Sequence, residues 1–488
     1  MCGYRRICHG VHVDEFHLAV AHIKRYVLYL FNNAQIFESR GNDDFIRYNH
    51  VVAIMTDVTS NIRDAKAESR RLAALPTGTK DVALAKMAEA LDSFRPRILE
   101  ANARDLKVAE SEGLGKVMLK RLAVDDAKID SMIAGIRSVI SLKDPVGETL
   151  SSMEIDDDMM LYQISCPIGL IGVIFESRPD VVPQIMSLCL KSGNGVVFKG
   201  GREATETNRC LFTILRDAVA DIVPASSFVM IETREDVNTI LSLNDCIDLL
   251  IPRGSNEFVR YIQHNTSIPV LGHAAGICHV YVDSDADVDK ALKVVLDSKV
   301  QYPAVCNAME TLLVNKGIAD KFLPRINALF KGYDVDVRCD DLALPFMDGA
   351  IPASDEDWDT EYNDFIVSVK IVDSVEYAVD FINTHGSHHT DAIITENKEK
   401  IAYFINNVDS ADVFINVSTR FADGFRFGKG AEVGISTNKI HSRGPVGMEG
   451  LMIYKYVMIG DGQVVKDYVG ESARLYKHLP SDRKLELI

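Results

Sequence analysis

One cysteine of this sequence stands where a nucleophile would be useful. Cys306 lies in residues 302–308 (YPAVCNA), between a predicted helix and a predicted strand. Loops at the ends of strands often carry functional side chains. A thiolate is a good nucleophile, but a lone cysteine is more often a small buried apolar residue. The residues alone therefore leave both interpretations of Cys306 open.

Two predicted strand-to-helix turns combine glycine with cationic and polar side chains. The first turn is residues 199–203 (KGGRE), and the second is residues 252–256 (PRGSN), which opens a helix. Glycine lets a ligand approach the backbone, and the N–H groups at a helix N-terminus favour phosphate. Either turn alone is weak evidence, because turns need glycine anyway. Taken together, the two turns support a nucleotide-binding site and a purely structural role about equally well.

Three further groups could bind ligands. His388 and His389 precede a predicted strand, but adjacent strand residues point to opposite faces, so no joint role is expected. Residues 432–445 are rich in glycine, hydroxyl and basic residues, which suits either an acidic ligand or a well-tied loop. Cys2 and Cys8, with the histidines near them, match no zinc spacing, so no metal site is expected.

The elements that would position these residues alternate between short apolar strands and amphipathic helices. This alternation is typical of doubly wound parallel sheets. The first series of predicted strands is 170–175, 196–199, 228–231, 249–251 and a strand at Val280. The second series is 311–314, 366–371, 392–395 and 413–416. We therefore predict an α/β fold with two doubly wound domains.

Domain bounds follow from the same patterns. Residues 1–54 differ in composition from the rest and are predicted to be an extension outside the fold, or the result of a start site placed too far upstream. We predict a cofactor-binding domain over 55–284, with an arm segment at about 145–165, and a catalytic domain over 285–445. Residues 446–488 are predicted to form a C-terminal hairpin, part of the same arm, and a tail. Residues 331–364 are predicted to be a surface excursion.

Charge and cysteine usage exclude several classes of protein. The 488 residues carry 53 Lys and Arg against 70 Asp and Glu, a net charge of −17, so no nucleic-acid partner is expected. The sequence contains no uninterrupted apolar run of about 18 residues, so no membrane span is predicted. The nine cysteines are scattered without a C-x-x-C pair, which favours a reducing, cytoplasmic compartment over a disulfide framework.

Five motifs in order carry a family resemblance. They are FESRPD at 175–180, KGGRE at 199–203, PAVCNAMET at 303–311, GSHHTD at 386–391 and GAEVGIST at 430–437. Together they resemble the gamma-glutamyl phosphate reductase family, a branch of the aldehyde dehydrogenase superfamily, from about residue 55 to the C-terminus. The resemblance implies two doubly wound α/β domains and a small β-hairpin oligomerisation arm, hence a homo-oligomer.

The same resemblance implies an activity. It is the NADPH-dependent reduction of L-glutamate 5-phosphate to L-glutamate 5-semialdehyde through a cysteine thioester, with release of phosphate, in proline biosynthesis. NADPH is therefore the expected cofactor, and no metal is expected. Whether a glutamate 5-kinase docks on this enzyme to pass on its labile product is left open.

Roles for single residues are carried over from the resemblance by position. Cys306 is expected to be the nucleophile, with Asn307 or the Cys306 backbone N–H as donors to the oxyanion. An Asp stands at 180, where the superfamily places an asparagine, so its role is left open. The residues expected at the cofactor are Lys199, Gly254, Ser255 and Glu361. The residues expected to anchor the glutamyl group or phosphate are Arg178, Ser436, Thr437 and Arg443.

Three alternatives are open. An oxidising aldehyde dehydrogenase would need the glutamate of a Glu-Leu-Gly-Gly motif, and the matching residues 270–273 read VLGH. The missing carboxylate fits a reductase, which needs no hydrolytic water. The reductase half of a bifunctional synthase is disfavoured because about 54 residues precede the match. A non-catalytic binding protein is disfavoured by Cys306 and its loop.

Overall fold

A computed structural model describes residues 57–232 and 235–486. Contacts divide the chain into two units, Met1–Ser60 and Asn61–Ile488, and the architecture below concerns the second unit. The prediction for residues 1–54 lies outside the described residues.

The described helices are α1 (Asp57–Ala73), α2 (Thr77–Ser93), α3 (Arg95–Ser111), α4 (Lys116–Leu122), α5 (Asp126–Ser141), α6 (Val181–Ser192), α7 (Thr205–Val219), α8 (Glu235–Ser242), α9 (Asn256–His264), α10 (Val288–Val300), α11 (Ala319–Lys331), α12 (Val375–His385) and α13 (Lys398–Asn407). None of these helices is long and apolar enough to cross a bilayer.

The described strands are β1 (Thr149–Asp156), β2 (Met159–Pro167), β3 (Leu170–Phe175), β4 (Gly195–Gly200), β5 (Phe228–Ile231), β6 (Leu249–Arg253), β7 (Cys278–Val282), β8 (Met309–Asn315), β9 (Asp336–Cys339), β10 (Ile351–Pro352), β11 (Ile366–Val372), β12 (Thr390–Ile394), β13 (Asp412–Ile415), β14 (Gly434–Ser436), β15 (Gly444–Val446), β16 (Met452–Ile459) and β17 (Leu479–Ser481).

A four-stranded parallel sheet has the order β5-β4-β3-β6. All six residues of β3 are buried, which explains its continuous apolar run. Helices α2, α5, α6 and α7 pack against this sheet in one hydrophobic core. On α2, Leu84, Met87 and Leu91 form its buried stripe at helical spacing. The sheet places the ends of β3 and β6 side by side.

A seven-stranded parallel sheet has the order β10-β9-β11-β8-β7-β12-β13. Its strand β7 directly follows the four-stranded sheet in sequence, so the chain changes sheets between β6 and β7. The predicted surface excursion at 331–364 is corrected here, because it contributes β9 and β10 to the sheet and buries Trp358. Short acidic stretches hide such strands from sequence patterns.

A four-stranded antiparallel sheet of order β16-β2-β1-β17 joins two distant parts of the chain. The turn between β1 and β2 holds Asp158 at φ 56°, in the left-handed region. The predicted hairpin within the tail is wrong: β16 pairs with β2 instead, and a short 3₁₀ turn, Val465–Tyr468, follows it. The segments 145–165 and the tail do form one sheet, as predicted.

Candidate active site

A cleft of about 760 Å³ lies between the two parallel sheets. From the four-stranded sheet it receives residues that follow β3 and β6, among them Arg178 and Gly254. From the seven-stranded sheet it receives Cys306, which precedes β8. The carboxyl edge of one sheet and the amino edge of the other therefore line the same space.

The loop that carries Cys306 is held in place by the segment that enters β7. The thiol of Cys278, the first residue of β7, donates to the Cys306 carbonyl oxygen at 3.2 Å. Gly276 lies so close to this loop that a Cβ atom there would overlap the backbone of Cys306. The side chain of Cys306 is half-buried, whereas burial raises the pKa of the thiols of Cys189 and Cys278. Cys306 is thus held in place and accessible.

His389 faces the Cys306 thiol. Its Nε2 lies 3.2 Å from Sγ, and its Nδ1 lies 2.7 Å from the hydroxyl of Thr390. That hydroxyl donates to the carboxylate of Asp412 at 3.2 Å, so it accepts a hydrogen bond from His389 Nδ1–H. The lone pair of Nε2 then points to Sγ, where it can take the thiol proton. Burial raises the pKa of Asp412 to about 6.

This role of His389 was not predicted from the sequence. The two adjacent histidines do point to different surroundings, as predicted, since His388 turns away and its Nδ1 bonds to the Asp409 carbonyl oxygen at 2.7 Å. The missing information was the strand order: β12, which follows His389, and β8, which follows Cys306, flank β7. Because the two histidines point to opposite faces, each could have been considered separately as a partner for Cys306.

A second histidine reaches the same point. His273 bonds through Nδ1 to the Ile435 carbonyl oxygen at 3.1 Å, and its ring meets that of His389 edge to face at 5.1 Å. Burial lowers the pKa of His273. Val270, where the superfamily places its glutamate, is buried, pairs with Leu250 and does not line the cleft. Leu271, Gly272 and His273 of this segment line the cleft, and of these three only His273 has a titratable side chain.

Four arginines line the cleft, and sequence reasoning had named one of them for the site. They are Arg121, Arg178, Arg253 and Arg420. Burial lowers the pKa of Arg253, and the charge of Arg178 lowers it further. Burial also lowers the pKa of Arg420. Because these cations share a poorly solvated cleft, an anionic ligand would bind to them favourably.

The other three predicted substrate anchors do not line this cleft. Ser436 is fully buried in β14, and its hydroxyl has no partner within the described part of the chain. The carbonyl oxygen of Thr437 accepts from Arg443 Nε at 3.2 Å. The guanidinium of Arg443 also bonds to Asp409 at 3.0 and 3.1 Å. These residues tie a loop, which was the alternative interpretation of residues 432–445.

Three of the four predicted cofactor residues lie together. Gly254 and Ser255 line the cleft at the start of α9, and Glu361 accepts from Asn256 Nδ2 at 2.9 Å although 105 residues separate them. No side chain caps the N-terminus of α9. The N–H of Ser255 donates to the Glu176 carboxylate at 3.1 Å, and the N–H groups of the first helical turn that follow it could bind a phosphate of a dinucleotide cofactor.

Lys199 and Asn307 differ from expectation. Lys199 is buried at the end of β4, donates to the Gly200 carbonyl oxygen at 2.6 Å and does not line the cleft. Asn307 does line the cleft, but its Nδ2 donates to the Ala422 carbonyl oxygen at 2.7 Å. That amide is turned to the protein, so the Cys306 backbone N–H becomes the better candidate for an oxyanion donor. Asp180 forms an ion pair with Lys128 at 3.2 Å.

Known proteins resemble this chain over most of its length. A sequence model of the aldehyde dehydrogenase family matches residues 50–343. The gamma-glutamyl phosphate reductase of Methanosarcina mazei is 58% identical over 441 residues, which are 88% of this chain and 99% of the relative. That of Acetivibrio thermocellus is 52% identical over 426 residues, 86% of this chain and 98% of the relative.

Solved structures give the same result. The crystal structure of gamma-glutamyl phosphate reductase from Thermotoga maritima superposes with a TM-score of 0.82 at 38% identity, covering 83% of this chain and 99% of its own. An NADP complex of the glyceraldehyde-3-phosphate dehydrogenase GapN from Methanocaldococcus jannaschii shares the fold, with a TM-score of 0.57 at 17% identity, over 83% of this chain and 94% of its own. The predicted fold class and family are therefore confirmed: this chain belongs to the aldehyde dehydrogenase family, in its gamma-glutamyl phosphate reductase branch.

Proposed function

We propose that this chain reduces L-glutamate 5-phosphate to L-glutamate 5-semialdehyde with NADPH, releasing phosphate, as a step of proline biosynthesis. The observation that carries the proposal is the Cys306–His389 pair, 3.2 Å apart, in a cleft lined by four arginines. A nucleophile with its base suits acyl transfer, and the arginines suit a substrate with two anionic ends. The family relationship supplies the substrate class.

In the acylation step, His389 Nε2 takes the Cys306 proton and the thiolate attacks the acyl carbon. The bond from that carbon to the phosphate oxygen breaks, and phosphate leaves with the electron pair. The Thr390 hydroxyl and the Asp412 carboxylate hold His389 in the required tautomer. The arginines stabilise the leaving phosphate. The product is a glutamyl thioester on Cys306.

In the reduction step, a bound nicotinamide cofactor supplies the hydride. The N-terminus of α9, with Gly254 and Ser255, would hold the cofactor phosphates, and Glu361 would hold the nicotinamide ribose. The Cys306 backbone N–H would stabilise the oxyanion that forms on the acyl oxygen, a contribution of roughly 3–4 kcal/mol for a well-placed donor. Expulsion of the Cys306 thiolate frees the aldehyde, and His389 returns the proton to sulfur.

The amino-acid end of the substrate needs partners of both signs. Glu432 and Asp423 also line the cleft and would meet the α-ammonium group. An arginine not engaged with phosphate would meet the α-carboxylate. The backbone carbonyl of Glu432 is fixed by Gln184 Nε2 at 2.8 Å, which positions this segment.

The remaining proposals concern assembly. Strand β16 is an edge strand, and its exposed apolar side chains include Tyr456 at 63% and Met458 at 56% exposure. Such an edge suits pairing with a second copy of the chain, so we propose a homo-oligomer. We retain the proposal of a cytoplasmic enzyme, and we propose that the boundary between the two domains lies between β6 and β7 rather than near residue 285, because β7 belongs to the seven-stranded sheet.

The reverse reaction tests the proposal. The purified chain receives L-glutamate 5-semialdehyde and NADP⁺, with and without inorganic phosphate, and NADPH formation is followed. We expect NADP⁺ reduction that depends on phosphate. Glutamate formed equally well without phosphate would favour the oxidising aldehyde dehydrogenase. No reduction under either condition, with correctly folded protein, would favour a non-catalytic binding protein.

A further inference from the structure

Three potential metal ligands converge at the nucleophile. One atom each of His273, Cys306 and His389 lies within 4.8 Å of the other two. Cys306 Sγ and His389 Nε2 are 3.2 Å apart. Two imidazoles and a thiolate are ligands that bind Zn²⁺ in proteins.

The nitrogens that remain for a metal are defined by the hydrogen bonds of the others. His273 Nδ1 is engaged by the Ile435 carbonyl oxygen, and His389 Nδ1 by the Thr390 hydroxyl. Nε2 is therefore the nitrogen of each ring that is left to bind a metal, and in His389 it faces Cys306 Sγ. Metal-binding histidines show this pattern, in which the second nitrogen bonds to an oxygen that fixes ring and tautomer.

The spacing is close to that of a tetrahedral site. Bonds of about 2.3 Å to sulfur and 2.0–2.1 Å to nitrogen place the ligand atoms of a zinc site roughly 3.3–3.6 Å apart. The ligand atoms of the present cluster lie within 4.8 Å of one another, so the widest pair would have to approach by at most about 1.5 Å.

The charges around the cluster do not exclude a dication. The cleft holds four arginines, but it also holds five carboxylates: Glu176, Glu257, Glu361, Asp423 and Glu432. At His273 the charge of Arg253 is unfavourable to a dication, and the charges of Glu361 and Glu432 oppose that effect. A zinc-bound thiolate also lowers the charge of the complex by one.

We infer that Cys306, His273 and His389 form a binding site for Zn²⁺ or a similar borderline divalent ion, with water as the fourth ligand, and that the ion reversibly blocks the nucleophile. Binding releases the Cys306 proton and involves no change of oxidation state. The metal occupies the sulfur lone pair that attacks the substrate and the His389 lone pair that takes the proton. Metal binding stands on the geometry alone, whereas inhibition rests on the proposed function.

Cobalt is the direct probe, because four-coordinate Co²⁺ with a thiolate ligand has visible d–d bands and a sulfur-to-metal charge-transfer band. The full chain, reduced and metal-free, is titrated with Co²⁺ and then with Zn²⁺. We expect one equivalent of Co²⁺ to produce both bands and Zn²⁺ to remove them. In Cys306→Ser the charge-transfer band of this site is lost.

Histidine variants identify the other ligands. His273→Asn and His389→Asn should each weaken Co²⁺ binding by more than about 10-fold, because loss of even an outer-shell partner costs 10–100-fold. His388→Asn is the matched control, since His388 is adjacent and faces Asp409, and asparagine tolerates its left-handed backbone. A chain with Cys2→Ser and Cys8→Ser controls for the N-terminal cysteines. Both controls should bind as the unmodified chain does.

A measurement on the unmodified chain avoids the question of whether variants fold. Zn²⁺ should slow alkylation of Cys306 by iodoacetamide, located by mass spectrometry, at least 10-fold, and a chelator should restore it. Three results would contradict the site. They are the absence of the charge-transfer band, Co²⁺ bands that form with full affinity in both histidine variants, and alkylation of Cys306 that Zn²⁺ does not slow. Cobalt binding in a chain that lacks reductase activity would instead support the site and contradict the proposed function.

Discussion

The two parallel sheets present opposite edges to the cleft. The four-stranded sheet contributes the residues that follow its strands, such as Gly254 after β6, and these suit a cofactor. The seven-stranded sheet contributes Cys306, which precedes β8. The buried His389, which precedes β12, contacts the Cys306 thiol. Ligands of open α/β sheets usually bind beyond the carboxyl ends of the strands. The rule holds for the first sheet and fails for the second.

The difference follows from what each edge can supply. At the carboxyl edge a strand leads into a helix, whose first N–H groups can hold phosphate through the backbone. At the amino edge, the segments entering β8, β7 and β12 lie side by side because those strands are neighbours. Gly276 on the middle segment leaves room for the Cys306 loop. Side chains from distant motifs meet there, which suits nucleophile and base.

The other edge of the seven-stranded sheet provides an internal reference. A polar cavity of about 470 Å³ lies there, lined by residues that include Glu399 and Lys400. Lys400 forms an ion pair at 2.8 Å with the buried carboxylate of Asp283. The charged groups Lys400 and Asp283 at this edge are therefore paired with each other. Changes made there should therefore leave the reaction unaffected.

The largest expected effect comes from the nucleophile. Cys306→Ser should lower kcat by at least about 1,000-fold, because a hydroxyl is a poor nucleophile at neutral pH. NADPH affinity, measured by cofactor fluorescence, should remain within about twofold, since Gly254 and Ser255, which are proposed to hold the cofactor phosphates, lie on the other sheet. Activity within tenfold of the unmodified chain would remove Cys306, and the amino edge, from the chemistry.

The next effect tests the placement of that nucleophile. Gly276→Ala should lower kcat by about 100-fold, because a new Cβ would displace the Cys306 backbone, and a shift of 1 Å can cost that much. Gly135→Ala in α5 is the control: a Cβ there meets no atom within 4 Å, and alanine favours a helix. Equal kcat values in both variants, with unchanged melting temperatures, would show that the loop position is not critical.

A pair of arginines separates the cleft from the loop beyond it. Arg253→Met should raise the KM for phosphate in the reverse reaction by roughly 30-fold, since hydrogen bonds between charged groups are worth about 1.5–3 kcal/mol. Arg443→Met should leave that KM nearly unchanged, because Arg443 is engaged by Asp409. If Arg443→Met raised this KM more than Arg253→Met did, the result would support the prediction from the sequence that Arg443 anchors the substrate.

The smallest effect concerns the cofactor. Glu361→Gln should raise the KM for NADPH by roughly 10-fold, through loss of a charged acceptor for the ribose. Glu399→Gln, in the cavity at the other edge of the same sheet, should leave it unchanged. Steady-state kinetics with saturating acyl phosphate measure both. If the two variants behaved alike, Glu361 would have no cofactor role.

Much of the fold could be predicted from sequence because its strands are buried on both faces. Leu170–Phe175 and Phe228–Ile231 were each predicted with the bounds that the structure has. Strand β9 was missed because it lies in a polar, acidic stretch. The partner of β16 was missed because an antiparallel pairing between residues about 290 apart leaves no local signal.

The site was only partly predictable for a related reason. Turn chemistry points to Gly254 and Ser255, since glycine beside a helix start has a local cause. Assigning His389 to Cys306 requires the order of β8, β7 and β12, which depends on packing across the whole sheet. Arg443 was chosen for its charge, and nothing in the sequence shows that Asp409 engages it.

The central claim is that Cys306 carries the acyl group as a thioester that phosphate releases. The most direct test mixes the chain with L-glutamate 5-semialdehyde and NADP⁺ without phosphate, and follows NADPH on the millisecond-to-second scale and Cys306 by mass spectrometry. We predict a burst of one NADPH per chain, a glutamyl adduct on Cys306, and renewed turnover when phosphate is added. NADPH formed without an adduct, or steady turnover without phosphate, would contradict the account.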